Sequence, residues 1–126
     1  MVAAAPPPAA HVAAAPPLTL RGRTSEGAPM ALTVRGGRIV RVRVTLRRYV
    51  CVPEGDIAPL AVDDPASGRI GSAGRFGFTT GPLSERLRLD GRIAPGGRAA
   101  RGSLQLRGTI GTGDPCRSRR VTFSLA

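Results

Sequence analysis

From Leu18 onward the apolar residues recur with a period of two rather than 3.6. This period constrains the chain more than any other feature, because alternation marks half-buried strands and excludes amphipathic helices. It is clearest where Val40, Val42, Val44 and Leu46 alternate with Arg41, Arg43, Thr45 and Arg47. Upstream, Met30, Leu32 and Val34 alternate with Ala31, Thr33 and Arg35, and Gly36-Gly37 separates the two runs. A Gly-Gly pair tolerates positive φ at both positions and favours a two-residue hairpin turn.

The long strand ends on an irregularity. Strict alternation would turn Arg48 inward and Tyr49 and Cys51 outward, so an extra residue near Arg47-Arg48, a β-bulge, is expected to return both to the core face. Residues 52–73 read as loop, given Pro53, Gly55, Pro59, Asp63-Asp64-Pro65 and several glycines. Further strands are expected at Leu18–Arg21, at Arg75–Thr80 with Phe76 and Phe78 on one face, and at Arg86–Ile93. Two more follow at Arg98–Ile110 and Arg119–Leu125, with a turn at 111–116 between them. About seven strands with closely spaced turns predict an all-β fold, an antiparallel sandwich or partly closed barrel. With Trp absent and only Tyr49, Phe76, Phe78 and Phe123 as aromatics, the core must be filled mainly by Val, Ile, Leu and Ala.

Residues 1–17, built from Ala, Pro and Val plus His11, read as a tail or linker ahead of a single domain at 18–126. Prolines interrupt every apolar run there and the first Arg is Arg21, so a signal peptide with a basic start and apolar centre is absent or truncated. Two alternatives stay open: a linker left after cleavage, or the remnant of a leader that starts upstream. No stretch approaches the roughly 20 apolar residues of a membrane span. Cys51 and Cys116 lie 65 positions apart and neither belongs to a CxxC pair, which argues against a zinc or thioredoxin-type site. One alternative is a pair of free thiols in a cytosolic protein. The other, favoured by the strand-flanking positions and the export-like tail, is a disulfide formed in an oxidising compartment.

With these landmarks placed, the chain resembles a small exported β-sandwich domain found in high-GC Gram-positive bacteria. The residues that carry the resemblance are Gly22-Arg23-Thr24-Ser25-Glu26-Gly27-Ala28-Pro29, the Gly36-Gly37 turn and the strand ending at Cys51. The Phe pair, Gly91-Arg92-Ile93, Arg101-Gly102-Ser103-Leu104, and Cys116 before a last strand with Phe123 complete it. Glu26 stands where that family tends to carry Gln, and Tyr49 where it carries a larger aromatic. The resemblance implies fold and export, and no activity.

No catalytic constellation is evident. The single His11 lies in the tail, which removes Ser-His and Cys-His nucleophiles. Gly71-Ser72-Ala73-Gly74 and Gly111-Thr112-Gly113 neither open a helix nor carry the Lys of a phosphate loop. Glu54, Asp56, Asp63 and Asp64 cluster in the 52–73 segment, where carboxylates can hold a hard cation such as Ca²⁺ or line a small-molecule site. The other reading is a solvated acidic turn. All 19 basic residues are Arg; Lys is wholly absent, consistent with a GC-rich gene, and eight acids leave a net charge of +11. Arg41, Arg43 and Arg47 form one row, Arg86, Arg88 and Arg92 a second, and Arg101 and Arg107 a third. If the strands are neighbours these rows make one guanidinium face suited to phosphate and carboxylate. Because the aromatics read as core, no stacking platform is left for bases, which argues against sequence-specific nucleic acid. The expectation is an exported, non-enzymatic structural or adhesive domain without a cofactor, whose Arg face meets anionic cell-envelope polymer or lipid headgroups. The alternative is a ligand-binding module built on the acidic segment.

Overall fold

The computed structural model describes residues 16–111 and 113–126; most of the 1–17 tail lies outside the described residues. The chain forms one antiparallel sheet of 11 strands curled into a half-barrel, with a single 3-10 turn at Ser72–Gly74 and no α-helix among the described residues. The strands are β1 (Leu18–Thr24), β2 (Pro29–Arg35), β3 (Arg38–Leu46), β4 (Tyr49–Cys51), β5 (Gly55–Asp56) and β6 (Leu60–Arg69). They continue with β7 (Arg75–Thr80), β8 (Glu85–Ile93), β9 (Ala100–Ile110), β10 (Asp114–Ser118) and β11 (Val121–Leu125). The count exceeds the seven expected because β4, β5, β6 and β10 fall where the sequence reads as strand end, loop or turn.

Around the curl the order is β7-β8-β9-β11-β1-β2-β3-β6. The two ends then come side by side, where the Thr80 hydroxyl donates to the Pro65 carbonyl at 2.6 Å and the Phe78 ring covers Gly68. β9 is long enough to carry β11 along one half of an edge and β10 along the other half, and β10 leads on to β4 and β5. Between β10 and β11 the ladder is interrupted, and the buried Ser118 hydroxyl fills the gap. It accepts from the Leu106 N–H at 2.9 Å and donates to the Arg119 carbonyl at 2.8 Å. The core lies inside the curl and is aliphatic as expected: Leu20, Leu32, Val42, Leu46, Leu87, Leu89, Leu104, Leu106 and Val121 are almost wholly buried.

The extra residue in β3 sits earlier than expected. Thr33 pairs with Arg41 and Val34 with Ile39, so Val40 is the bulged residue. Ile39 therefore takes the core position, and Val40 is half-buried. At Arg47-Arg48 the ladder breaks outright: the chain leaves β2 and β6, and β4 pairs instead with β10. This break turns Tyr49 and Cys51 inward and leaves Val50 outside. In β6, Pro65 lacks an N–H, which a strand tolerates where no second ladder needs one. β3 supplies its only ladder among the described residues.

Candidate functional site

Cys51 and Cys116 face each other across β4 and β10 and form a disulfide. Alternation in β8 and β9 sends Leu87, Leu89, Leu104 and Leu106 inward and Arg86, Arg88, Arg92, Arg101 and Arg107 outward. The register then aligns guanidinium groups across strands. Arg86 pairs with Arg107, and Arg107 with Arg117 of β10, giving a rung of three. Arg75 of β7 pairs with Arg92, and Arg92 with Arg101, giving a second. The second rung continues through Ser124 to Arg23 of β1.

Six residues along β8 separate the rungs, about 20 Å at ~3.3 Å per residue. Between them Arg88 holds Asp90 in a two-point contact at 2.7 and 3.0 Å, which keeps the Asp90 carboxyl below the usual carboxylate range. Among the described residues, the seven rung arginines make no ion pair, and all are exposed. Beside the first rung a groove of about 570 Å³ is lined by Val50, Val52 and Pro115 together with Arg107 and Arg117.

The β3 row belongs to another part of the surface, since β2 and β6 are its neighbours. Asp63 accepts from Arg41 in a two-point contact at 2.6 and 2.7 Å and lies 3.7 Å from Arg43. Hydrogen bonding from Arg41 holds the Asp63 carboxyl down. The Arg47 side chain turns to the Gly27 carbonyl at 3.3 Å, and its backbone N–H donates to Glu26 at 3.0 Å. So β8 and β9 bring Arg86 beside Arg107 and Arg92 beside Arg101, whereas Arg41, Arg43 and Arg47 stand apart and Arg88 is neutralised. Arg75 and Arg117 were missed: the strand pairing that places them is invisible along one strand, and 111–116 read as a turn.

Comparison with family models, curated proteins and solved structures finds no match to this chain.

The four acidic candidates do not converge. Glu54 lies in the exposed turn between β4 and β5. Asp56 accepts from the N–H groups of Ala58 at 3.0 Å and Tyr49 at 3.2 Å, and both bonds lower its pKa. Asp63 and Asp64 point to opposite faces of β6. Among the described residues no three of His, Cys, Asp and Glu are grouped to hold a metal ion. Asp64, on the inner face, keeps company instead with Glu85, a residue the sequence reading passed over. The parity of Glu85 with Leu87 and Leu89 would have revealed it. Burial raises the pKa of both carboxyls, with a further push from Asp63 on Asp64 and from Asp64 on Glu85.

Because those two pKa values lie above their unfolded values, ionising the carboxyls opposes folding. Their contribution to stability is present at low pH and is lost as pH rises through the raised values. The contributions of Asp56, Asp63 and Asp90 run the other way, lost as pH falls through their lowered values. In chelator-treated buffer Asp64→Asn is therefore expected to raise the melting midpoint at pH 7.5 by a few degrees, about 1 kcal/mol. The gain should fade as pH falls through the raised value of the wild-type carboxyl, which then takes up its own proton. Thermal scans across that range check the sign.

Proposed function

We infer that this domain is an exported, non-enzymatic binding module that uses the two arginine rungs on the outer face of β7, β8, β9 and β10 to hold anionic cell-envelope material. The observation that carries this reading is the register, which lines up Arg86, Arg107 and Arg117 on adjacent strands without a carboxylate partner among the described residues. Strands stand about 4.8 Å apart, so three guanidinium groups present a dense row of bidentate donors. A second rung roughly 20 Å away suits a polymer or headgroup surface with repeated phosphate or carboxylate groups better than one small anion. The disulfide supports an oxidising compartment. Among the described residues no helix is long and apolar enough to cross a membrane.

The triple variant Arg86→Gln, Arg107→Gln, Arg117→Gln should bind heparin or phosphatidylglycerol vesicles at least tenfold more weakly at 0.15 M salt. That follows from ~0.5 kcal/mol for each of three exposed contacts. Arg41→Gln with Arg43→Gln, which removes charge already answered by Asp63, is expected to change retention much less. Equal loss in both variants would reduce the reading to net charge, and full retention in the triple variant would refute it.

A further inference from the structure

We propose that Asp64 and Glu85, together with the buried hydroxyl of Tyr49, form a binding site for a hard divalent cation such as Ca²⁺ on the inner wall of the curl. Asp64 shares the inner face of β6 with the buried Val62, and Glu85 stands at the start of β8 in phase with Leu87 and Leu89. In a chain with 19 arginines, these two carboxylates make no ion pair and no side-chain hydrogen bond among the described residues. Every hydrogen-bonded Asp in the structure faces outward or caps a turn.

Tyr49 supplies an independent observation. It is 1% exposed, and its hydroxyl is buried without a hydrogen-bond partner among the described residues. Buried polar groups are rarely left so, because the hydrogen bond lost to water goes uncompensated. Two glycines let these groups approach the backbone closely. A Cβ on Gly108, which pairs with Glu85, would stand 2.6 Å from Tyr49 Oη and 3.2 Å from Glu85 Cα. A Cβ on Gly81 would stand 3.1 Å from Asp64 Oδ2 and 2.5 Å from the Glu85 carbonyl oxygen. The same small region thus gathers two carboxylates, a phenolic oxygen and a backbone carbonyl, all of them oxygen ligands.

Oxygen donors select Ca²⁺ and its relatives over zinc or copper. With only two carboxylates, and water completing the shell, the affinity belongs with that of extracellular modules, Kd on the order of 10⁻⁴–10⁻³ M. The overall charge of +11 repels cations, so any cation held by the folded chain is held locally. This proposal stands independently of the arginine face.

Tyr49 provides the probe, being the one tyrosine of a chain without tryptophan. Terbium(III) added to the purified protein should give luminescence on tyrosine excitation that saturates and is displaced by Ca²⁺. Asp64→Asn and Glu85→Gln should each abolish it. Tyr49→Phe should lose the signal because the sensitiser is altered, so that variant is read by melting. At ten times its Kd, Ca²⁺ multiplies the folding equilibrium constant about elevenfold. Its midpoint rise should be present in the wild type, smaller in Tyr49→Phe and absent in the carboxylate variants. Terbium emission equal to that of the free ion would overturn the proposal, as would emission untouched by Asp64→Asn and Glu85→Gln. A midpoint raised by mild acid but never by Ca²⁺ would also overturn it, leaving a carboxyl pair that shares a proton.

Discussion

Replacing both cysteines, Cys51→Ser with Cys116→Ser, is expected to cost about 4 kcal/mol of stability, the largest loss of any surface-preserving change in this domain. The bridge spans 65 residues, and in the chain-entropy model closing a loop of that length restricts the unfolded ensemble by about that much. Small domains have net stabilities of ~5–15 kcal/mol, so the melting midpoint should fall by roughly 15–20 °C. The fold gives a second reason for a large effect. β4 is three residues long and β5 two, and β4 reaches the rest of the sheet through β10. Without the covalent link, that edge has few ladder bonds to hold it, and Tyr49 rides on it. Thermal scans with and without reductant measure the loss. Mass spectrometry under non-reducing conditions should show a chain lighter by two hydrogens. An unchanged midpoint in reductant would mean that β4 is held by its packing alone.

Reading the fold from the residues worked where one face of a strand is apolar and the other charged. Val42, Val44 and Leu46 in β3, Leu87 and Leu89 in β8, and Leu104 and Leu106 in β9 lie in the core as alternation requires. The same reasoning placed Tyr49 and Cys51 inside, although the device is a break in the ladder and the bulge sits at Val40. It failed where a strand has a single ladder and turn-forming residues interrupt its alternation. β6 carries Asp63-Asp64-Pro65 and Gly68, which are turn signals in isolation, yet β3 pairs with it over its length. β10 was hidden for a related reason, since Asp114-Pro115 resembles a turn until β9 is seen to continue beside it. The arginine face was half legible. Which strand a residue occupies and which way it points follow from local pattern, whereas pairing Arg107 with Arg117 needs the three-dimensional register. Glu85 was missed because it stands next to Arg86 and looks like one half of a charged surface pair.

Gly102→Val is expected to destabilise the domain by about 3 kcal/mol, with Gly91→Val close behind, for a reason that sits at the centre of the curl. Register places Phe76, Gly91, Gly102 and Phe123 in one row across β7, β8, β9 and β11. Phe76 and Phe123 are buried, and their rings lie over the two glycines. A Cβ on Gly102 would meet the Asp90 carbonyl oxygen first, then Gly91 Cα at 2.7 Å and Phe123 Cζ at 2.9 Å, while one on Gly91 would meet the Arg101 carbonyl oxygen at 2.5 Å and Phe76 Cζ at 2.7 Å. These distances are below any normal carbon contact, so either the rings or the strands must move. Gly71→Ala is the control, since its Cβ would meet its nearest neighbour, the Arg75 carbonyl oxygen, at an ordinary 3.5 Å. Pairing Gly102→Ala with Phe123→Leu should recover part of the loss, because the smaller side chain vacates the space. Strict additivity in that cycle would show that backbone contact, not the ring, sets the cost. The row also bears on the outer face. Arg92 and Arg101 directly follow and precede these glycines and point the opposite way, so forcing β8 and β9 apart would split the Arg75–Arg92–Arg101 rung. A Gly102→Val protein that still folds at low temperature should therefore bind anionic vesicles more weakly than wild type, although no arginine has been changed.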